Sequence, residues 1–254
     1  MKTNGKIALI TGGSRGLGKN TAFAFAQKGI DVIITYNKQK EQAAAVVNEL
    51  ERSGCQATAL QLDVSQVASF PSFTVQLSAV LKEKWQREQF DFLINNAGLG
   101  VNAPFDSTTQ EQFDILLGVH FKGVFFLTQT LSGLIADNGG IVNFSTGLAR
   151  FCLPGYSAYA AMKGAVEVLT KYLAKELGHR KIRVNVIAPG AIDTDFNKEA
   201  LAAHPEMRDY ISAQTALGRL GQPGDIGGVV AALCTNEMGW VNAQRIEVSG
   251  GMFL

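Results

Sequence analysis

With 254 residues, 46% of them hydrophobic, the chain can build one large core, and length alone allows one domain or two. Its 23 basic and 22 acidic residues leave a formal charge of +1, which offers no electrostatic footprint for nucleic acid or an anionic membrane and points to a small-molecule partner. The three cysteines, Cys55, Cys152 and Cys234, are widely spaced among apolar neighbours, as expected of core thiols in a reducing, cytoplasmic setting rather than of a disulfide framework.

The first apolar run, residues 6–10, is too short for a signal peptide or a membrane span. It ends in Thr11-Gly12-Gly13-Ser14-Arg15-Gly16-Leu17-Gly18, after which Ala22, Phe23, Ala26 and Ile30 mark a helix closed by Gly29. Strand, glycine turn and helix together let backbone N–H groups approach a pyrophosphate closely. The GxxxGxG spacing differs from the usual GxGxxG, and a plain tight turn is the alternative reading.

A second strand at 31–35 leads to Tyr36-Asn37-Lys38, where a carboxylate would hold the adenosine ribose diol of NAD. No acid stands there. Arg15 and Lys38 instead suit the 2′-phosphate of NADP, with NAD still open because Glu41 can reach back. Lys40 reads as the solvated start of a helix over 39–53.

A third strand at 57–62 is followed by Asp63-Val64-Ser65, in which Asp63 can bond an adenine amino group and Ser65 can cap the next helix. A fourth strand, 90–94, runs into Asn95-Asn96-Ala97-Gly98, small and amide residues able to close over a cofactor at a strand end. Thr108 and Glu111 have capping-box spacing. The helix they open carries Phe113, Leu116, His120, Val124 and Leu127 at helical intervals, so periodicity alone makes His120 a hydrogen-bonded core residue.

The stretch 141–163, IVNFSTGLARFCLPGYSAYAAMK, organises the rest. A buried strand passes through a loop holding Thr146 and Pro154 into a helix from about Ser157 to Leu177, with Tyr159 and Lys163 four residues apart on one face. An ammonium beside a phenol favours the phenolate, drawing a group of pKa about 10 toward neutrality and suiting it to proton transfer with a carbonyl oxygen. An ordinary helix with an exposed lysine shows the same YxxxK pattern. A sixth strand, 182–188, leads to Pro189-Gly190-Ala191-Ile192-Asp193-Thr194. Beyond it, 193–218 loosens into short helical pieces at 198–203 and 207–214, either a movable lid or a surface hairpin. A last helix begins at Gln222-Pro223-Gly224-Asp225, and a final strand spans 244–248.

Taken together, TGGSRGLG, Asp63, NNAG at 95–98, YxxxK at 159–163 and PGAIDT at 189–194 resemble the short-chain dehydrogenase/reductase family over essentially the whole chain, with 3-oxoacyl-carrier-protein reductases the nearest in pattern. The resemblance implies an α/β fold: one doubly wound Rossmann domain of seven parallel strands with helices on both faces, commonly in a homotetramer to whose interface the Tyr159 helix contributes. It implies NAD(P) along the strand ends, held by the glycine turn, Tyr36, Asn37 and Lys38, Asp63 and Val64, Asn95 to Gly98, and Pro189, Gly190, Ile192 and Thr194. It makes Tyr159 the general acid/base, with Lys163 lowering its pKa and holding the nicotinamide ribose; no metal is implied.

Two positions depart from the family pattern. Thr146 stands where relatives place a carbonyl-binding serine, keeping the hydroxyl but adding a methyl and a stiffer χ1. His120 stands where many have an asparagine that anchors a relay water, and an imidazole can titrate near neutrality. The expected reaction is reversible NADPH-dependent reduction of a ketone, with an NAD-linked alcohol or sugar dehydrogenase and a weakly catalytic NADP(H) sensor as rivals. Phe151, Leu153, Tyr156, Phe196 and Met207 suggest an apolar pocket. Asp137, in what reads as the turn before the fifth strand, argues against docking of an acidic acyl carrier protein.

Overall fold

All four residues of β1 (Ile7–Ile10) are fully buried, and they alternate between two apolar clusters: Ala8 and Ile10 in one, Ile7 and Leu9 in the other. An unbroken apolar run split in this way suits a parallel strand covered on both faces. β2 (Asp31–Tyr36) repeats the pattern, with Val32 and Ile34 on one side and Ile33 on the other.

The computed structural model describes residues 5–194 and 205–254. Five further strands follow β1 and β2: β3 (Ala57–Gln61), β4 (Phe90–Asn95), β5 (Ile135–Phe144), β6 (Arg183–Pro189) and β7 (Arg245–Val248). The seven pair in parallel in the order β3-β2-β1-β4-β5-β6-β7. The order reverses direction between β1 and β4, and a crevice at their C-terminal ends is where open α/β sheets bind ligands.

One face is covered by α1 (Gly16–Gln27), α2 (Lys40–Arg52) and α8 (Pro223–Leu233), which contribute Phe25, Val46, Leu50, Ile226 and Val230 to the first cluster. The other is covered by α3 (Phe70–Trp85), α5 (Gly123–Leu131) and α6 (Ser157–Glu176), which bring Phe70, Phe73, Leu77, Leu127, Leu131 and Ala174. α4 (Gln110–Leu117) precedes α5, and α7 (Pro205–Ala213) lies beyond β6. The doubly wound α/β sheet expected from the motifs is the observed one. Gly29 closes α1 as expected: at φ 71° it donates to Ala26 O while Ile30 N reaches back to Phe25 O, satisfying two terminal carbonyls.

Four local readings change. The capping box is formed by Thr109 and Gln112 rather than Thr108 and Glu111, because Thr108 donates its hydroxyl to Pro104 O and completes the preceding turn. Ser65 does not cap α3; Asp63 Oδ1 instead accepts from both its N–H (2.9 Å) and its hydroxyl (2.7 Å). Residues 136–140 are not a turn ahead of β5 but a wide irregularity inside it, since Phe90 pairs with Ile135 and Phe92 with Gly140. The helix through His120 is not uniform, for a π-helical turn, Gly118–Lys122, separates α4 from α5. The segment from α4 through Leu134 is long and apolar enough by composition to cross a bilayer. It packs against α3 and α6 while Phe113, Ile115 and Phe125 stay exposed. The expected helical piece at 198–203 lies outside the described residues.

Candidate active site

The nucleotide side of the cleft is shaped by backbone. Gly12 (φ 67°) and Gly16 (φ 54°) occupy the left-handed region that side chains resist. A Cβ on Gly13 would lie 2.5 Å from Ile34 Cγ2, and one on Gly18 2.3 Å from the Gly12 carbonyl oxygen. Ser14 is half-buried in the turn, and Leu17 packs on the first cluster. α1 begins behind an extended Arg15 with no side-chain cap, so its first N–H groups carry no side-chain acceptor. Close approach and unclaimed donors fit a dinucleotide pyrophosphate.

Thr11 ties this turn to the loop after β4. Its hydroxyl donates to Ile94 O (3.2 Å) and accepts from the N–H groups of Asn96 (3.0 Å) and Ala97 (2.9 Å). Asn96 returns its amide to Thr11 O (2.8 Å) and Gly12 O (3.2 Å). The sequence signal for Thr11 is its place at the end of the first strand, where it opens the glycine motif.

At the tip of β2, Arg15, Asn37 and Lys38 are exposed beside half-buried Tyr36, and Gln61 donates to Asn37 O (2.9 Å). Asp63 has one oxygen committed to Ser65. Three expected cofactor residues turn inward. Asn95 is buried, donating to Thr128 (3.0 Å) and Asn143 (2.8 Å), and Asn143 donates to Thr170 (2.9 Å). Its amide therefore stitches β4 to β5. Val64 and Ile192 are also buried in the apolar clusters, so they can offer a ligand only main-chain atoms. Pro189 ends β6, Gly190 lies so close to Ser249 that a Cβ would sit 2.8 Å from its Cα, and Thr194 is half-buried.

Opposite this cradle, Thr146 leaves β5 in an extended conformation (φ −158°, ψ 156°) and accepts the Leu148 N–H on its hydroxyl oxygen. Its proton is then free for another acceptor, and it hydrogen-bonds Tyr159. The neighbouring Ser145 is buried and donates to Glu167 Oε1 (2.5 Å), so its hydroxyl is committed away from Tyr159. Lys163 is 5% exposed and donates Nζ to Phe144 O (2.8 Å), 5.8 Å from the Tyr159 ring centre. Thr146, Tyr159 and Lys163 thus lie together.

The expected lowering of the phenol pKa by Lys163 is not what the protein surroundings produce. Burial pushes the Tyr159 phenol upward, and the Thr146 hydrogen bond is the opposing influence. Burial also pulls Lys163 down to about 7, which weakens the ammonium on which the expectation relied.

His120 is 1% exposed and lies edge-on to Tyr159, with ring centres 5.0 Å apart. Its Nε2 is 2.7 Å from Leu99 O, which makes Nε2 the protonated nitrogen and Nδ1 the lone-pair bearer. Nδ1 is buried and has no hydrogen-bond partner among the described residues. Burial, followed by the charge of Lys163, pulls the imidazole down to about 3. It is neutral throughout the physiological range, contrary to the expectation that it titrates near neutrality. An unfolded histidine takes up its proton near pH 6.5, so the unfolded chain binds more protons as pH falls from about 6.5 to about 3, and stability drops across that window. His120→Asn is expected to flatten this acid slope, measured as urea midpoint against pH; an unchanged slope would show that the imidazole titrates normally in the fold.

The family model described as "Enoyl-(Acyl carrier protein) reductase" matches residues 12–253. An uncharacterized oxidoreductase of Methylorubrum extorquens is 37% identical over 252 residues, covering 99% of each chain. Among solved structures, the promiscuous reductase LugOII, described as catalysing keto-reduction at C1 in lugdunomycin biosynthesis, superposes with a TM-score of 0.93 at 33% identity over 100% of both chains. The angucycline C-6 ketoreductase LanV, solved with bound NADP, superposes with a TM-score of 0.92 at 32% identity, covering 98% of this chain and 95% of its own. With the glycine cradle, the Tyr159–Lys163 helix and these matches spanning its length, the chain belongs to the short-chain dehydrogenase/reductase family and is an NAD(P)-dependent oxidoreductase.

Proposed function

We propose that this protein is an NADPH-dependent ketoreductase that converts a ketone on an extended, largely apolar framework to a secondary alcohol, reversibly. The observation that carries the reading is the hydrogen-bonded Thr146–Tyr159 hydroxyl pair, whose protons turn to the carbonyl oxygen when substrate replaces their mutual contact, set beside buried Lys163. NADPH supplies the hydride when bound. The substrate oxygen accepts hydrogen bonds from Thr146 and Tyr159, and Tyr159 gives up its proton as charge develops there. A raised phenol pKa keeps Tyr159 protonated at neutral pH, the form a reduction needs. Lys163 holds the nicotinamide ribose in this reading, and the lone pair of His120 Nδ1 accepts a hydrogen bond from a relay water.

The NADP preference draws support from the end of β2, where Tyr36 and Asn37 carry no carboxylate and Arg15 and Lys38 are exposed, and from the NADP bound to LanV. Arg15→Ala is expected to weaken NADPH binding by about ten- to a hundredfold, the worth of a charge-assisted hydrogen bond, with little change for NADH. Fluorescence titration of both cofactors checks this, and equal losses would favour the NAD-linked alternative.

LugOII, named for keto-reduction in lugdunomycin biosynthesis, and LanV, named an angucycline C-6 ketoreductase, favour a free ketone over a carrier-bound thioester. Two of the basic side chains a carrier protein would seek are already engaged: Arg180 pairs with Asp137 (2.8 Å), and Arg183 donates to Leu233 O (2.7 Å) and Met238 O (3.1 Å). The lid proposed for 193–218 has its described ends joined by the Asp193–Arg208 ion pair (3.0 Å); Phe196 lies outside the described residues. Exposed Phe113, Phe125, Val168 and Tyr172 on α4, α5 and α6 support a homotetramer, and three free cysteines support a cytoplasmic setting. NADPH consumption with cyclic diketones, quinones and β-ketoacyl thioesters tests the reading. Turnover on thioesters alone would overturn the free-ketone assignment.

A further inference from the structure

The loop that carries Thr146 is gripped from behind by four charged side chains brought together from distant parts of the chain. Glu167 Oε1 on α6 accepts the Ser145 hydroxyl (2.5 Å) and Arg245 Nε (2.7 Å). Arg245 Nη2 donates to the backbone oxygen of Thr146 (3.1 Å), and Nη1 donates to Glu247 Oε2 (2.9 Å). Glu247 takes a two-pronged contact from Arg150, through Nε to Oε2 (2.9 Å) and Nη2 to Oε1 (2.9 Å). Arg150 also donates to Met252 O (2.6 Å) and Phe253 O (3.1 Å), while the Phe253 ring lies 4.6 Å from that of Phe151.

Both ends of the loop, 145–146 and 150–151, are therefore pinned to β7 and to the last residues of the chain. The inner pair is well enclosed, with Glu167 19% and Arg245 22% exposed, so its hydrogen bonds are only partly screened by water. The two arginines and two glutamates balance in charge, and Arg245 is the member that touches the backbone of the hydroxyl-bearing residue.

We propose that Arg245 is a positioning residue for ketone reduction, setting the Thr146 hydroxyl through its backbone carbonyl while Glu167 and Ser145 hold the preceding residue in register. The inference rests on the ketoreductase reading above. Thr146 has a stiff χ1, so its hydroxyl direction follows the backbone, and a small displacement of a reacting group is costly.

Arg245→Met is expected to lower kcat roughly tenfold and to lower the thermal midpoint, since Glu167 and Glu247 lose their shared cation, with KM and NADPH affinity nearly unchanged, and Arg245→Lys is expected to recover most of the loss in kcat. In a Thr146→Ala background, whose residual turnover is measured first, Arg245→Met is expected to add little, because the hydroxyl it positions is already gone. Additive losses in that cycle, or an unchanged kcat in Arg245→Met, overturn the proposal. If Arg245→Met does not fold, Glu167→Gln enters the same cycle, since it keeps an acceptor for Ser145 but removes the charge that orients Arg245. Tyr159→Phe separates the two levels. Turnover surviving in Tyr159→Phe overturns the catalytic reading itself, whereas its loss beside additive Arg245 and Thr146 effects removes only the role of Arg245.

Discussion

Tyr159→Phe is expected to lower turnover by roughly 10²–10⁴-fold, the usual worth of a positioned proton donor, while leaving NADPH affinity within a few-fold of the parent. The substitution removes one oxygen from the half-buried phenol and keeps the ring against His120 at its 5.0 Å edge-on contact. What is lost is the proton and the partner of the Thr146 hydroxyl. Thr146 alone would still hydrogen-bond a carbonyl, but nothing of comparable reach would neutralise the developing alkoxide: Lys163 Nζ is engaged with Phe144 O, and His120 is neutral with its Nε2 proton given to Leu99. Steady-state NADPH consumption, paired with fluorescence titration of the cofactor, checks both halves. Full activity in the variant would remove Tyr159 from the reaction.

Gly18→Ala is expected to abolish measurable NADPH binding at concentrations saturating the parent and to lower stability by about 1–3 kcal/mol, as overpacking does. The added Cβ would lie 2.3 Å from Gly12 O and 2.5 Å from Asn96 Nδ2, and those two atoms are bonded to each other at 3.2 Å. Backbone cannot swing aside as a flexible side chain can, so the turn and the loop after β4 must separate, and the Thr11 hub goes with them. Gly133→Ala is the control, because a Cβ there meets nothing within 4 Å. Urea denaturation and cofactor titration read the two effects. A Gly18→Ala protein that binds NADPH like its parent would place the dinucleotide elsewhere.

Most of the sheet was legible because parallel strands buried on both faces show as short apolar runs with almost no polar interruption, as in Ile7–Ile10. The glycine turn was legible for a related reason, since positive φ and close approach leave few residue types that fit. The capping box slipped by one residue because Thr108 and Thr109 are both competent caps, and the choice depended on a tertiary turn ending at Pro104. The π-helical turn at Gly118–Lys122 escaped periodicity because a single widened turn barely disturbs apolar spacing over a long helix.

The site divides in the same way. Sequence alone determined that Tyr159 and Lys163 share a helix face, that a glycine turn follows the first strand, and that Thr146 precedes the tyrosine by the family's interval, because these are matters of local period and spacing. Charge states were decided by tertiary structure, because the cost of burial depends on everything that surrounds a group. Enclosure raised Tyr159 against the expectation drawn from its neighbour Lys163, lowered Lys163 itself to about 7, and silenced His120 near neutrality. Tertiary structure also chose between adjacent hydroxyls, turning Ser145 to Glu167 and leaving Thr146 to Tyr159. It brought Arg245 to the Thr146 carbonyl from 99 residues away, a contact that exists only because β7 lies beside β6 and β6 beside β5 at the edge of one sheet.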